Sequence, residues 1–329
     1  MAKRRSPVRV AHTGAPAKGF PLNQILVGDC RETLALLREG SFQTCVTSPP
    51  YFGLRDYGHP QQIGLEETVE EYVSVLVDAL RAVRRVLRDD GTLWLNLGDS
   101  YANDSKWGGA STHQGLTRRA HVPRGKRDTG LPPKCLAGAP WRVALALVAD
   151  GWTLRSDIIW AKPNPLPESV SDRPTKAHEY VFLLSKSERY FYDPDAIKER
   201  ASARPPGAST GKREAALAAG DERFRTSANL SKIPAVETRN ARTVWTIGSE
   251  PYSGAHFATM PSALASRCIM AGSRVGDAVL DPFLGSGTVA AAAEALGRMW
   301  IGCELNEAYV QLARERTAQV GILAFGDAP

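Results

Sequence analysis

Residues 47–51, Thr-Ser-Pro-Pro-Tyr, close an apolar run and carry groups that could hold a nucleobase. Pro49 and Pro50 fix the backbone and contribute carbonyl oxygens but no N–H donors, so the loop presents hydrogen-bond acceptors. Ser48 adds a hydroxyl that can also accept, and Tyr51 adds a flat aromatic face. The combination predicts a grip on an exocyclic amino group while the ring stacks on the base. An isolated Pro-Pro-Tyr is equally consistent with a rigid turn whose tyrosine only packs.

A second stretch, residues 275–305, predicts a strand, a glycine turn, an alanine-rich helix and a second strand. Gly285 and Gly287 allow the backbone to turn tightly and to approach a ligand closely. Glu304 ends the second strand about 20 residues later, where a carboxylate binds ribose hydroxyls in doubly wound nucleotide folds. A packing turn without a ligand is the alternative interpretation.

The tip of the first of these strands carries Asp281 and Phe283, a carboxylate and an aromatic ring. No GxGxxG fingerprint follows, because position 290 is alanine. A cationic ligand with a ribose therefore suits the site better than NAD does, and S-adenosylmethionine is such a ligand. Two acceptors on an aromatic amine would favour a pyramidal nitrogen whose lone pair points at an electrophilic methyl group. A base in duplex DNA must first leave the stack.

Strands and helices alternate around these two stretches. Apolar runs near 25–27 and 42–48 predict strands, and residues 67–88 repeat apolar positions at helical spacing. The sequence at 89–91, Asp-Asp-Gly, predicts a turn before the next strand. The alternation predicts an α/β fold with a mostly parallel sheet covered on both faces. In such a sheet, both stretches would lie at the carboxyl edge of the strands.

The formal net charge of the 329-residue chain is +6, and the basic excess is concentrated in a few segments. Residues 102–134 carry seven Lys or Arg against two Asp or Glu, and residues 195–245 carry ten against six. A basic run is often only a solvated face. Two such runs of weak periodicity nevertheless favour a polyanionic partner such as nucleic acid.

Other sequence features exclude several classes of protein. No run of about 18 apolar residues predicts a membrane span, and no apolar region follows the basic start, as a signal peptide requires. The five cysteines are scattered without CxxC spacing. They favour reduced thiols in the cytoplasm over a disulfide framework or a zinc site, and no metal is expected.

These stretches together resemble the β-type amino-methylating DNA methyltransferases, which transfer the methyl group of S-adenosylmethionine to cytosine N4 or adenine N6. Their [D/N/S]-P-P-[Y/F] loop corresponds to residues 48–51 and their F-x-G-x-G turn to residues 283–287, in that order. ILVGDC, GTLWLNLGDSY, IWAKPNPLPES, HEYVFLLSKSERYFYD and HFATMPSALASRCI match as well. The resemblance covers roughly residues 23–315. It implies a doubly wound, mostly parallel, seven-stranded Rossmann-like methyltransferase sheet with inserted target-recognition segments.

The resemblance also implies roles for individual residues. The flipped target base would be held by the catalytic loop, Ser48, Pro49, Pro50 and Tyr51. S-adenosylmethionine would be bound by Asp29 at its adenine, Glu304 at its ribose, Phe257 and Thr259 near its methionine part, and Asp281, Phe283, Gly285 and Gly287 along its length. Asp29 has an alternative role, that of capping the helix that follows it.

The expected organisation of the chain has five parts: a flexible basic arm (1–20), a catalytic half with a basic insertion (21–194 and, within it, 102–134), a target-recognition segment (195–245), an S-adenosylmethionine-binding half (246–320) and a tail (321–329). Double-stranded DNA is the expected substrate. A cognate restriction endonuclease, as in a restriction-modification system, is a candidate partner, and both a monomer and a homodimer stay open.

Rival classes are distinguished by single features. A cytosine-C5 methyltransferase needs a nucleophilic cysteine, usually after proline, and no Pro-Cys dipeptide occurs. RNA and protein-glutamine methyltransferases with a similar loop usually carry the cofactor turn before it. A non-catalytic DNA-binding relative would be expected to have lost part of the loop or the turn. Ser48 is typical of cytosine-N4 enzymes and aspartate of adenine-N6 enzymes, so cytosine N4 is favoured over adenine N6. Lys162 is expected to be an exposed loop lysine, with contact to a phosphate as the alternative.

Overall fold

The computed structural model describes residues 21–102, 129–201, 237–250 and 260–325, with side chains described as far as residue 318. Two compact units are present, one within Met1–Tyr192 and Thr243–Pro329 and the other Asp193–Arg242. The predicted arm, most of the basic insertion, most of the target-recognition segment and the last residues of the tail lie outside the described residues. The functional division of the chain therefore stays a prediction.

The larger unit holds eight strands and six helices among its described residues: β1 (Gln24–Val27), α1 (Cys30–Ala35), β2 (Phe42–Thr47), α2 (Val69–Val86), β3 (Leu87–Leu97), α3 (Ala139–Ala149), β4 (Thr153–Ala161), β5 (His178–Ser185), β8 (Val244–Thr246), α4 (Ser262–Gly272), β9 (Ala278–Asp281), α5 (Thr288–Ala295), β10 (Met299–Glu304) and α6 (Glu307–Phe325). The smaller unit holds a short 3-10 helix, Asp195–Ile197, and the antiparallel pair β6 (Glu199–Arg200) and β7 (Thr238–Arg239).

The eight strands form one sheet in the order β1-β10-β9-β2-β3-β5-β4-β8. Only β5 runs antiparallel to its neighbours, so the predicted mostly parallel α/β fold is confirmed. Seven strands were predicted for this sheet and eight of the described strands belong to it, because the short β8 adds to β4 through the pairing of Ile159 with Val244. The carboxyl ends of the parallel strands and the amino end of β5 consequently meet at one edge.

Helices cover both faces of this sheet. Cys45 and Leu280 belong to a buried cluster formed with α1, α2 and α3. Their neighbours Val46 and Val279 are also fully buried, and they point to the opposite face because side chains alternate along a strand. On that face α4 contacts β2 and β3, and α4, α5 and α6 contact one another in sequence. The doubly wound arrangement follows from these two helix layers.

The end of α2 differs from its prediction. The helix begins with a capping box of Thr68 and Glu71, and its apolar positions are buried. The predicted Asp-Asp-Gly turn lies inside β3, which already begins at Leu87. Pairing with β2 is irregular there, because Phe42 pairs with Leu87 while Thr44 pairs with Thr92. The extra residues at this point therefore form a bulge within β3, and no turn separates two elements there.

Two further observations apply to the part of the chain that the structure describes. None of its helices is both long enough and apolar enough to cross a membrane. Within the same residues, no group of three His, Cys, Asp or Glu side chains is arranged to hold a metal ion.

Candidate active site

A cleft of about 290 Å³ opens at the carboxyl edge of the sheet. Its walls come from the segments that follow β1, β2, β9 and β10, together with the starts of β5 and the loop after β4. Nine residues of the predicted site line it: Asp29, Ser48, Pro49, Pro50, Tyr51, Asp281, Phe283, Gly285 and Glu304. The fold therefore brings together two stretches that are far apart in the chain.

The catalytic loop leaves the fully buried strand β2 and is tied down at once. The carbonyl oxygen of Pro50 accepts a hydrogen bond of 2.9 Å from the Tyr72 hydroxyl of α2. This carbonyl, which the sequence predicted as a free acceptor, is thus used to hold the loop. Pro49 is buried and Ser48 is half-buried. The main acceptor that the loop offers to the cleft is therefore the Ser48 hydroxyl.

The Tyr51 ring packs against the backbone of Gly98 at the end of β3. A Cβ atom at position 98 would lie 2.6 Å from Cε2 of the ring, so only glycine leaves room for it. The phenol oxygen lies 3.1 Å from Ser48 Oγ. It also donates to Glu179 Oε2 at 2.6 Å and approaches Asn96 Oδ1 at 3.2 Å. Burial and the nearby Glu179 carboxylate raise the pKa of Tyr51 well above its usual value, so the phenol keeps its proton.

Glu179 and Lys162 complete this cluster, and the sequence analysis nominated neither. Glu179 Oε1 forms an ion pair with Lys162 Nζ, and Oε2 accepts from Asn96 Nδ2 at 3.1 Å. The expectation that Lys162 is an exposed loop lysine is wrong, since its side chain is only 23% exposed and lies over the Trp160 ring. A lysine just after a parallel strand and a glutamate near the start of an antiparallel one meet at the same edge.

The glycine turn is organised by Glu304. Its Oε2 accepts the backbone N–H of Gly285 at 2.8 Å, and its Oε1 accepts that of Asn306 at 2.8 Å. The Glu304 side chain is buried, and desolvation raises its pKa. Each carboxylate oxygen retains lone pairs that can accept from ribose hydroxyls. Gly285 has a φ of 53°, in the left-handed region that favours glycine.

Asp281 joins the two halves of the site. Its Oδ1 accepts from Thr47 Oγ1 at 2.7 Å and from the backbone N–H of Phe283 at 3.1 Å. Thr47 is the last residue of β2 and Asp281 the last of β9, so this bond joins the strand ends that carry the two chemical stretches. Desolvation raises the pKa of Asp281 to about 7. A buried carboxyl of this kind is suited to a cationic ligand, which would favour its ionised form.

Asp29 performs the capping role that was considered for it. Its side chain accepts from the backbone N–H of Arg31 at 2.8 Å, at the start of α1. The Arg31 guanidinium also pairs with it, and these interactions lower the pKa of Asp29. Asp29 nevertheless lines the cleft, so a role at the cofactor's adenine stays a prediction beside the observed cap.

The structure does not place the other three predicted cofactor residues in the cleft lining. Gly287 is absent from the cleft lining and is the N-cap residue before α5, with a φ of 83°. A Cβ atom there would lie 3.0 Å from the Ala313 backbone, so Gly287 permits close packing of α5 on α6. Phe257 and Thr259 lie outside the described residues. The roles of all three in cofactor binding stay predictions.

The lining of the cleft fits S-adenosylmethionine. Glu304 has acceptors for ribose hydroxyls, and Asp281 supplies a buried carboxyl whose pKa is about 7. Aromatic faces are provided by Phe283, Tyr57 and Tyr309, which all line the cleft. Carboxylates, aromatic rings and a glycine turn form a lining that suits a cationic, ribose-bearing molecule with an aromatic base.

Comparison with known sequences identifies the family. The sequence model described as DNA methylase, for N6 and N4 methylation, matches residues 42–315. The chain belongs to this DNA methylase family. The match spans the catalytic loop, the glycine turn and nearly all of the sheet. The resemblance to amino-methylating DNA methyltransferases is thereby confirmed, as is an S-adenosylmethionine-dependent methylation of DNA amino groups. The family includes enzymes for both bases and does not decide between them.

Two relatives and two solved structures extend this result. The chain is 48% identical to Type II methyltransferase M.SmaI of Serratia marcescens over 294 residues, covering 89% of this chain and 90% of the relative. It is 44% identical to M.Cfr9I of Citrobacter freundii over 289 residues, covering 88% and 85%.

Among solved structures, a putative DNA modification methylase of Thermus thermophilus complexed with S-adenosyl-L-methionine has a TM-score of 0.56 and 26% identity, covering 90% of this chain and 93% of its own. PvuII DNA methyltransferase has a TM-score of 0.59 at 20% identity, covering 90% and 89%. At that identity, the second likeness shows the shared fold.

Proposed function

We propose that this DNA methylase methylates the N4 amino group of a cytosine within a specific sequence of double-stranded DNA. The observation that carries the proposal is Ser48, a hydroxyl at the first position of the catalytic loop, where adenine-specific enzymes typically have aspartate. Its oxygen lies 3.1 Å from the phenol oxygen of Tyr51 and lines the cleft. Serine, a neutral acceptor, is typical of the cytosine-N4 enzymes at this place.

The residues of the cleft divide the work between holding the cofactor and holding the base. Glu304 accepts from ribose hydroxyls, Phe283 covers the cofactor and Asp281 faces a cationic group. S-adenosylmethionine supplies an electrophilic methyl group on a sulfonium sulfur. Ser48 accepts an N–H of the flipped base and so orients the amino nitrogen, while Tyr51 provides an aromatic surface. Catalysis is then a matter of positioning and electrostatics, without a covalent enzyme intermediate.

DNA recognition is assigned to the basic segments. Residues 102–134 and 195–245 carry the positive charge that neutralises phosphates. Segment 195–245 also lies, in the sequence, between the catalytic loop and the glycine turn, in the place of a target-recognition region. The relatives named above are Type II methyltransferases. By analogy, this enzyme would protect DNA from a restriction endonuclease that recognises the same sequence.

The target base is tested by direct chemistry. Unmethylated DNA is incubated with the protein and labelled S-adenosylmethionine, digested to nucleosides and separated by chromatography. We expect label in N4-methyldeoxycytidine. Label in N6-methyldeoxyadenosine would reject the cytosine assignment and keep the family activity. Single-molecule sequencing of DNA from cells that express the protein then gives the sequence context.

The roles of the catalytic loop are tested with Ser48→Ala and Tyr51→Ala. Both variants should bind S-adenosylmethionine normally, because neither side chain belongs to the proposed cofactor set, and both should lose most methyl transfer. Calorimetry measures cofactor binding, and transfer of labelled methyl to duplex DNA measures turnover. Full turnover by both variants would remove these residues from the site.

A further inference from the structure

A line of hydrogen bonds runs along the wall of the cleft. It starts at Ser48 Oγ, passes through the Tyr51 phenol at 3.1 Å and ends at Glu179 Oε2 after a further 2.6 Å, and all three residues line the cleft. Glu179 lies near the start of β5, and its side chain is 14% exposed. The line thus extends beyond the catalytic loop to a residue that the proposed mechanism does not use.

The carboxylate at one end of this line fixes the direction of each hydrogen bond in it. A carboxylate only accepts, and Glu179 is surrounded by donors from Tyr51, Asn96 and Lys162. Tyr51 has one hydroxyl proton, which it donates to Glu179. The Tyr51 oxygen can therefore only accept from Ser48. Once Ser48 has donated its single proton to Tyr51, its oxygen presents lone pairs alone to the cleft.

Asn96 supports the same direction. Its Nδ2 donates to Glu179 Oε2 and to the Tyr180 carbonyl, both at 3.1 Å, so its Oδ1 is the atom that faces the phenol. The two other neighbours of the Tyr51 hydroxyl, Asn96 Oδ1 and Glu179 Oε2, are thus acceptors. The raised pKa of Tyr51 keeps the phenol protonated and able to donate.

We infer that Glu179 is a positioning residue that acts through Tyr51 to make Ser48 a hydrogen-bond acceptor only. The site would then select a base that presents an N–H donor at the reacting position and would disfavour one that presents a carbonyl oxygen. Lys162 holds the carboxylate in place through the ion pair. The inference rests on methylation of an exocyclic amino group and holds for cytosine and adenine alike, so it does not depend on which base is modified.

The decisive variant is Glu179→Gln. Lys162 can only donate, so the amide oxygen of glutamine should turn toward it and the amide NH2 toward Tyr51. The nearer acceptor of the phenol proton is then replaced by a donor, and only the more distant Asn96 Oδ1, at 3.2 Å, still accepts. Ser48 is then less firmly held as a donor to Tyr51 and can point its own proton into the cleft. There this proton would face the N–H groups of the base, which are also donors.

Binding is measured with two duplexes in the presence of S-adenosylhomocysteine, which prevents turnover. One contains the normal target base, and the other contains its carbonyl analogue, which is uracil for cytosine or hypoxanthine for adenine. Both are placed opposite an abasic site, so that the cost of flipping is similar. The nucleoside analysis above decides which pair is used. A wrong cytosine assignment therefore changes the duplexes and leaves this test intact.

The wild-type protein should prefer the amino base, and Glu179→Gln should reduce that preference by about 10-fold, the range of a misdirected buried hydrogen bond. Tyr51→Phe breaks the line at its middle and should reduce the preference as well, which distinguishes action through Tyr51 from a direct contact of Glu179, itself a lining residue, with the base. Glu188→Gln makes the same chemical change at an exposed residue beyond the other end of β5 and should behave as wild type. Calorimetric binding of S-adenosylmethionine confirms that each variant is folded.

Three outcomes would overturn the inference. The wild-type protein could bind both duplexes equally, which would mean that Ser48 does not discriminate. Glu179→Gln could weaken both duplexes by the same factor, which is the result of a purely structural role. It could also leave the preference unchanged, in which case Asn96 or the backbone sets the direction instead.

Discussion

Glu304 carries two kinds of hydrogen bond with one carboxylate. It holds the backbone N–H groups of Gly285 and Asn306, and it is proposed to accept from the cofactor's ribose. Glu304→Ala should weaken S-adenosylmethionine binding by about 10-fold or more, because a buried acceptor is removed and two backbone donors are left without their partner. Titration calorimetry measures the affinity. Glu307→Ala, an exposed glutamate three residues later, is the control, and equal affinities for the two variants would remove Glu304 from the site.

Asp281 gives the cofactor-free protein a pH dependence. Its pKa is about 7 when folded, compared with an ordinary value of 3.8, so the folded state binds the extra proton between these two values. Stability should therefore fall as the pH rises from about 4 to 7 and should level off above that range. Asp281→Asn keeps an oxygen for Thr47 and the Phe283 N–H without the buried charge.

The variant's melting temperature should exceed that of the wild type by several degrees at pH 8 and should match it near pH 4. Thermal unfolding without cofactor, measured at both values, tests this expectation. Asp89→Asn, at an exposed carboxylate, is the control. A difference that is the same at both pH values would show that the proton on Asp281 is not its cause.

At this scale the sequence predicts well what is local. Four predicted residues stand in short stretches whose residue types alone indicate their chemistry. All four line the cleft: Ser48, Tyr51, Gly285 and Glu304. Glu179 was missed because its position depends on the direction of β5. A strand that runs antiparallel places its first residues, and not its last, at the working edge, and apolar patterning does not reveal direction.

The packing of α5 on α6 depends on one glycine. Gly287→Ala combines a φ of 83° with a Cβ only 3.0 Å from Ala313, whereas Gly276→Ala has a φ of 82° and no neighbour within 4 Å. Left-handed strain alone costs roughly 1–2 kcal/mol. Gly287→Ala should lower the free energy of unfolding by more than Gly276→Ala does, as measured in urea. Equal losses of unfolding free energy in the two variants would show that α5 and α6 can move apart to accommodate the Cβ atom without a loss of stability.

The sequence predicted the presence of helices and strands better than it predicted their first and last residues. The apolar repeat at 67–88 appears as α2 at Val69–Val86. The Asp-Asp-Gly turn was misplaced because the bulge in β3 is set by its pairing with β2, a tertiary contact that overrides local turn propensity. The short β8 is recognisable only beside β4, since three residues carry too little pattern to predict a strand.

For the whole molecule, the basic segments predict how DNA affinity responds to salt. Replacing Arg118 and Arg119 with alanine should make the slope of log affinity against log salt less steep by about 0.9 for each phosphate that is no longer neutralised. Fluorescence anisotropy with a duplex at several salt concentrations measures the slope. A double variant of Arg38 and Arg314, exposed arginines outside these segments, should keep the wild-type slope. Identical slopes for the two double variants would exclude residues 118–119 from the DNA interface.

The pairing of β1 with β10 has a consequence for how the protein is made. Trp300 donates its backbone N–H to the Asn23 side chain across 277 positions of sequence, and Gln24 pairs with Ile301. During synthesis from the amino terminus, β1 must wait without its partner on the order of tens of seconds. Asp29 and Glu304 come to line one cleft only when β10 emerges. The proposed cofactor site, to which Glu304 belongs, is therefore incomplete until β10, the last strand of the sheet, has been translated.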